Sequence, residues 1–284
     1  MTMKTNALTL FLFALLAALS THAEIATVEA VQYPAWLERN GSTAPLVPGT
    51  RLQPKDKLKT GNNARVRLQM GEGSAVRLGE NAQFVIERVE DRNIFSATLS
   101  VLAGAFRFTT SALSTRKRDV SIRAKTVTAG IRGTDLWGKS SGERDLVCLL
   151  EGKITVGAEG HPTVTLDQPL DFYQKPRDGA PAVAKVDAKQ VEEWSKETEV
   201  SADGAAAKTG GRWRMVAAAK PDRDAALKLN RQLRRDGYPS EIVQKDGYFV
   251  VQVTGLAGEP EARALMSALR NVPGVELPTV HEGR

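Results

Sequence analysis

Arg65-Val66-Arg67-Leu68-Gln69-Met70 alternates polar and apolar side chains without a slip, the period of a strand buried on one face. Gly71-Glu72-Gly73 follows as a turn. Ala75-Val76-Arg77-Leu78 resumes the alternation, and Gly79-Glu80-Asn81 turns again. Working outward, Phe84 and Ile86 share a face, and Phe95, Ala97, Leu99 and Val101 alternate. Gly104 breaks the run, Phe106 and Phe108 share a face, and Val120 and Ile122 follow. Leu146 to Val156 reads as two strands joined at Glu151-Gly152. Nothing between these segments has a helical period. Short strands at this spacing, with glycine-rich turns, predict an all-β sandwich, barrel or roll over residues 24–176.

The character of the chain then changes twice. Residues 177–211 are rich in Pro, Ala, Gly, Lys and Ser and poor in apolar side chains, and read as a linker. One short helix is expected there: Asp187 and Gln190 fit an N-cap with glutamine three residues on, ahead of Val191, Trp194 and Glu197. A tryptophan in so polar a stretch predicts that this helix docks on the β-domain. Residues 212–284 read as β-α-β-β-α-β. Trp213-Arg214-Met215-Val216-Ala217 is strand-like. Asp222 caps a helix with the apolar stripe Ala226, Leu227, Leu229 and Leu233, and Gly237 stands at its C′ position. Glu241-Ile242-Val243 and Tyr248 to Val253 flank the turn Lys245-Asp246-Gly247. Pro260 opens a second helix, with Ala264, Leu265 and Leu269 on its inner face, and Val275 to Leu277 forms a last strand. That order is the ferredoxin-like α+β arrangement, in which helices cover one face of an antiparallel sheet and leave the other open. The fold expected overall is therefore multi-domain, an all-β sandwich or roll followed by a ferredoxin-like (βαββαβ) domain.

The chain has 284 residues, a formal charge of +6 and ordinary globular composition, with 25% charged and 42% hydrophobic residues. Its single cysteine, Cys148, rules out an internal disulfide framework and sits in the apolar run Leu146 to Leu150, where a small buried hydrophobe is expected. Beyond residue 23 the histidines are His161 and His281, in loop or tail sequence. No metal-ligand spacing appears, so no metal, cofactor or His/Cys catalytic site is expected. Asp135 and Glu151 offer carboxylates but no spacing that marks a glycan hydrolase. The basic balance suits acidic envelope polymers or lipid head groups. Lysines and arginines are dispersed, apart from Arg116-Lys117-Arg118, and nucleic acid is not an expected partner.

Residues 1–23 read as a signal peptide. Lys4 is the positive end, and Thr21-His22-Ala23 is a small-x-small cleavage site. The apolar run from Ala7 to Leu19 is shorter than the ~20 residues a membrane span needs. The mature chain is expected to begin at Glu24, in the periplasm, with no transmembrane segment after cleavage.

Five segments between residues 45 and 157 resemble the FecR periplasmic domain: Pro48 to Leu52, Leu58 to Ala64, Leu102-Ala103-Gly104-Ala105-Phe106-Arg107-Phe108, Gly130-Ile131-Arg132-Gly133-Thr134-Asp135, and Leu149-Leu150-Glu151-Gly152. The resemblance implies periplasmic signalling, in which such proteins typically relay the state of an iron-siderophore receptor to a cytoplasmic sigma factor. Relays of that kind carry a cytoplasmic segment and a membrane helix ahead of this domain, where a signal peptide stands here. Gly130 and Gly133 permit a tight backbone path between strands. Arg132 and Asp135 are placed to pair across it, and Thr134 to bond the backbone. The motif reads as a turn that holds a bend rather than as a ligand site.

Residues 212–281 resemble a SPOR domain, by element order and by Tyr248-Phe249-Val250-Val251-Gln252-Val253 followed by Glu259-Pro260-Glu261-Ala262. Val250 stands where arginine is common in that family, and Thr254 where glycine is common. The resemblance implies binding of peptidoglycan glycan strands stripped of stem peptides, on the open sheet face. A sugar site needs polar groups for hydroxyls and an aromatic platform for the apolar ring face. Trp213, Tyr248 and Gln252 are the candidates. Together the two resemblances predict a non-catalytic envelope protein that binds glycan through one domain and contacts an envelope protein through the other. The alternative is a regulatory protein acting through protein–protein contacts alone.

Overall fold

The computed structural model describes residues 25–91, 94–110 and 117–283. The expected signal peptide lies outside the described residues, and so does the side chain of Arg132. The N-terminal half holds β1 (Ala26–Gln32), β2 (Ala35–Arg39), β3 (Ser42–Pro45), β4 (Arg51–Leu52), β5 (Lys57–Thr60), β6 (Arg65–Met70) and β7 (Ala75–Leu78). It continues with β8 (Gln83–Asp91), β9 (Phe95–Thr109), β10 (Arg118–Ala124), β11 (Val127–Ser140), β12 (Arg144–Ala158), β13 (Val164–Leu166) and β14 (Asp171–Pro176). The alternation at Arg65–Met70 translates directly into burial: Val66, Leu68 and Met70 point inward.

Three long strands organise this half, because each one changes partners along its length. The first part of β9 pairs with β8 and β10, and its second part with β7 and β11. The first part of β11 pairs with β10 and its second part with β9, while β12 follows β11 throughout. Two layers result. One runs β1-β6-β7-β9-β11-β12-β14, and the other β3-β2-β5-β8-β9-β10-β11-β12-β13. Leu68, Phe84, Ile86, Leu99, Phe106, Phe108 and Leu136 belong to the continuous core these layers enclose.

The corners fall on glycines. β9 turns at Gly104, with φ +86°, where an added Cβ would stand 2.5 Å from the Ala82 Cα. β11 and β12 turn together at Gly133 and Gly152, whose φ values are +70° and +89°. A Cβ on Gly152 would intrude into the Gly133 carbonyl oxygen. L-residues avoid such φ values because Cβ meets the backbone. Leu146 to Val156, expected as two strands, is thus one strand bent at Gly152. The Gly130–Asp135 motif is a corner within one strand, not a connection between two.

Residues 177–211 carry β15 (Ala182–Lys185), α1 (Ala188–Lys196) and β16 (Ala206–Lys208). β15 extends the first layer through β14. Asp187 caps α1 by accepting a hydrogen bond from the Lys189 amide. β16 pairs with β1 on one side and meets the C-terminal half at Ala207–Leu256 on the other. This segment is bonded into both halves. Its polar composition conceals that because the bonds are made by backbone.

The C-terminal half runs β17 (Trp213–Lys220), α2 (Arg223–Arg235), β18 (Glu241–Lys245), β19 (Tyr248–Leu256), α3 (Glu259–Leu269) and β20 (Thr279–Glu282). Its antiparallel strand order is β20-β17-β19-β18. Asp222 caps α2, which buries Ala226, Leu229 and Leu233, while α3 buries Ala262, Leu265 and Leu269. The last strand is Thr279–Glu282, not Val275–Leu277. Leu277 has φ +45° and is 92% exposed. The halves also meet where Trp36 Nε1 donates to the Arg235 carbonyl at 2.8 Å. Among the described residues no helix is long and apolar enough to cross a membrane, which bears on helices alone.

Candidate functional site

Residues directly opposite on antiparallel strands share a face, so the register sorts the C-terminal sheet. Met215 faces Val253 and Val280, and Ile242 faces Val251; these side chains join the core under α2 and α3. On the other face, Gln252 lies between Val216 and Glu241, Val250 between Ala219 and Val243, and Tyr248 beside Lys245. Arg214 and His281 are opposite one another on the same face. Tyr248 is 49% exposed. Gln252 donates from Nε2 to Glu241 Oε1 at 3.0 Å, so the amide is oriented by a neighbouring acid.

Tyr248 and Gln252 therefore stand on one open surface, four residues apart along β19 with Val250 between them. Trp213 does not join them. It lies opposite the fully buried Leu256 and packs against the core. It also sits seven residues along β17 from Lys220, the partner of Phe249, or roughly 23 Å at strand rise. Arg214 and Glu241 escaped sequence reasoning, although the same alternation that selects Gln252 selects them.

The Gly130–Asp135 segment is built as follows. Thr134 Oγ1 donates to the Lys153 carbonyl at 3.1 Å, and the Thr134 amide donates to Thr110 Oγ1 at 2.6 Å. Asp135 takes a bidentate pair from Arg107, at 2.9 Å from Nε and 2.7 Å from Nη2. That hydrogen-bonded pairing holds the Arg107 pKa above its ordinary value. The partner of Asp135 thus comes from β9, across the sheet. Gly130 faces Thr155, whose Oγ1 would be 2.9 Å from an added Cβ.

Arg107 belongs to a cross-strand row on the outer face of the first layer. Arg67, Arg77 and Arg107 are successive neighbours on β6, β7 and β9, and the row continues through Trp137, Cys148 and Phe172. The chain from Asp187 to Ser201 lies across this row. The rings of Trp194 and Trp137 stack at 4.7 Å and 7°, and Phe172 meets Trp194 edge-on. Lys139 Nζ is 2.7 Å from Glu197 Oε2, and one oxygen of Glu199 lies 3.5 Å from both Arg77 and Arg107. The Ser201 amide donates to Gln32 Oε1 at 2.9 Å. This cover buries Trp137 and Cys148 completely. Burial pushes the Cys148 thiol up to about 12, which leaves it protonated and inert at neutral pH. Among the described residues no group of three or more His, Cys, Asp or Glu side chains could hold a metal ion.

Residues 56–155 match the FecR protein family, and residues 209–275 match the SPOR domain family. No curated protein matches the chain. Two crystal structures of a candidate anti-sigma factor from Parabacteroides distasonis align with it. One is 14% identical with a TM-score of 0.43, covering 77% of this chain and 91% of its own. The other is 13% identical with a TM-score of 0.43, covering 80% and 99%. The chain therefore carries a FecR domain followed by a C-terminal SPOR domain.

Proposed function

We propose that the chain is a non-catalytic, periplasmic envelope protein that binds peptidoglycan glycan strands through its SPOR domain, while its FecR domain contacts an envelope protein. The observation that carries this reading is the one-sided cover of the SPOR sheet. α2 and α3 pack on one face, and on the other Tyr248 stands half-exposed, with the oriented Gln252–Glu241 pair two same-face positions further along the strands. The strand order β20-β17-β19-β18, with both helices on one side, supports a ferredoxin-like arrangement. A tyrosine ring offers a platform to the apolar face of a sugar, and amide and carboxylate groups match its hydroxyls.

The test is co-sedimentation of the full chain with purified sacculi before and after amidase removes the stem peptides. Binding is expected to rise after amidase and to fall at least fivefold in Tyr248→Ala. Equal, negligible sedimentation with both preparations would remove the glycan reading. A second reading, a regulatory protein acting through protein contacts alone, is supported by the FecR match, which covers more of the chain than the SPOR match. It predicts co-purification with a membrane sensor or receptor and no sacculus binding.

A further inference from the structure

Three arginines on three adjacent strands make an unfavourable row. Like charges directly opposite each other in a sheet repel, and Arg67, Arg77 and Arg107 are directly opposite in sequence across β6, β7 and β9. Within the sheet, Asp135 is bound bidentately by Arg107, and Glu29 lies 2.8 Å from Arg67. Arg77 takes its carboxylate from outside the sheet, from Glu199, and shares it with Arg107. Both separations are 3.5 Å, beyond the ~2.7–2.9 Å of a strong charge-assisted bond. The Arg77 Nε is buried without a hydrogen bond.

The covering segment is held chiefly by polar contacts: Glu197 pairs with Lys139 at 2.7 Å, Thr198 is buried, and the Ser201 amide bonds Gln32, while the helix docks through little apolar surface. α1 buries no residue completely. Its apolar attachment is one ring stack, Trp194 on Trp137, with Phe172 at the edge. Yet it is closely seated: an added Cβ on Gly79 would stand 2.6 Å from the Glu197 carbonyl oxygen. A face with an arginine row at one end and an aromatic floor at the other is thus filled by a segment of matching chemistry, a tryptophan followed at three and five residues by glutamates.

We propose that Asp187–Ser201 is a displaceable strap occupying a protein-docking face of the FecR domain. The partner is an envelope protein segment carrying an aromatic side chain followed by carboxylates, which takes the positions of Trp194, Glu197 and Glu199. This rests on the reading that the FecR domain contacts an envelope protein, and it names the surface and the partner's chemistry.

The test uses a fluorescein-labelled peptide of residues 187–203 and the full chain, read by fluorescence anisotropy. A full chain carrying Trp194→Ala and Glu199→Ala has a weakened strap and is expected to bind the peptide at least tenfold more tightly than the unaltered chain. Adding Arg77→Glu is expected to reverse that gain. No gain, or a gain that Arg77→Glu leaves intact, would overturn the proposal. So would equal binding of a peptide lacking the tryptophan, which would mark a simple anion site. Should the altered chain not fold, amide hydrogen exchange on the unaltered chain decides. Strap amides such as that of Ser201 are expected to exchange at least a hundredfold faster than those of β11, and exchange at the β11 rate overturns displacement. An envelope partner whose capture is indifferent to Arg77→Glu would sink this surface yet leave partner contact standing. Absence of any partner would sink that reading itself.

Discussion

Replacing Gly152 by alanine asks the FecR domain's corner for two concessions, and a matched control separates them. Gly152 has φ +89° and Gly160 has φ +73°, so alanine at either position takes a left-handed conformation, at a cost of about 1–2 kcal/mol. Around Gly160 nothing lies within 4 Å of the added methyl, whereas at Gly152 it meets the Gly133 carbonyl and Thr134 Cα. Forcing an atom into a packed site adds about 1–3 kcal/mol. Gly152→Ala should therefore cost roughly 2–5 kcal/mol in all, and Gly160→Ala only the first part. The gain from stiffening the unfolded chain is common to both and cancels in the comparison. Urea unfolding followed by circular dichroism measures the difference. With a slope near 2 kcal/mol per molar, the midpoint of Gly152→Ala should lie about 0.5–1.5 M below that of Gly160→Ala. Equal midpoints would show that the β11–β12 corner relaxes around a methyl, and the argument that close backbone approach demands glycine there would fail.

Asp135→Asn removes the charge from a bidentate pair whose side chains are only 14% and 23% exposed. It is expected to destabilise the protein by about 1.5–3 kcal/mol in the same unfolding assay. Burial raises the Cys148 thiol to about 12 and raises Tyr33 as well. The unfolded chain therefore ionises these groups first, and their contribution, intact at neutral pH, should be lost as pH rises from about 9 towards 12. Cys148→Ala should flatten that alkaline slope, and iodoacetamide at pH 8 should label Cys148 only after unfolding. Trp36→Phe deletes the bond to the Arg235 carbonyl and should lower the unfolding midpoint by the equivalent of about 1 kcal/mol.

The strands were legible wherever one face is buried, because burial writes a period of two into side chains. Arg65–Met70 and Phe84–Ile86 are examples. Corners were less legible. Gly152 reads as a loop because a glycine with positive φ serves equally at a turn between strands and at a bend inside one; hydrogen-bond partners decide, and they are remote in sequence. The last strand was misplaced because Val275 and Leu277 are apolar, while Thr279–Glu282 pairs through backbone with three of its four side chains exposed. β16 was invisible for another reason: it is three residues long and its buried side chains are alanines, too small and too few to write a strand period. At the open face, alternation correctly separates Tyr248 and Gln252 from Val251 and Val253. Trp213 lies on the inner side with Met215, two residues away, and the register shift between Val216 and Ala218 breaks the phase along β17, so alternation counted from the open face at Ala219 does not reach Trp213. The arginine row needed strand order, which no local pattern carries, although Arg67 and Arg77 both stand in the polar phase of their strands.

β16 gives the molecule a defined route for tension. If the SPOR domain is anchored on the wall while the FecR domain is held elsewhere, a pull between them reaches Ala206–Lys208, hydrogen-bonded to β1 over three residue pairs and to β19 at one. The side towards β19 is the sparser within the sheet, and together with the Trp36–Arg235 and Ala35–Gly237 bonds it should part first, with the pairing to β1 retained. A short backbone ladder of this kind would yield at low load and re-form on release, making the seam between the two domains a mechanical fuse rather than a loose tether.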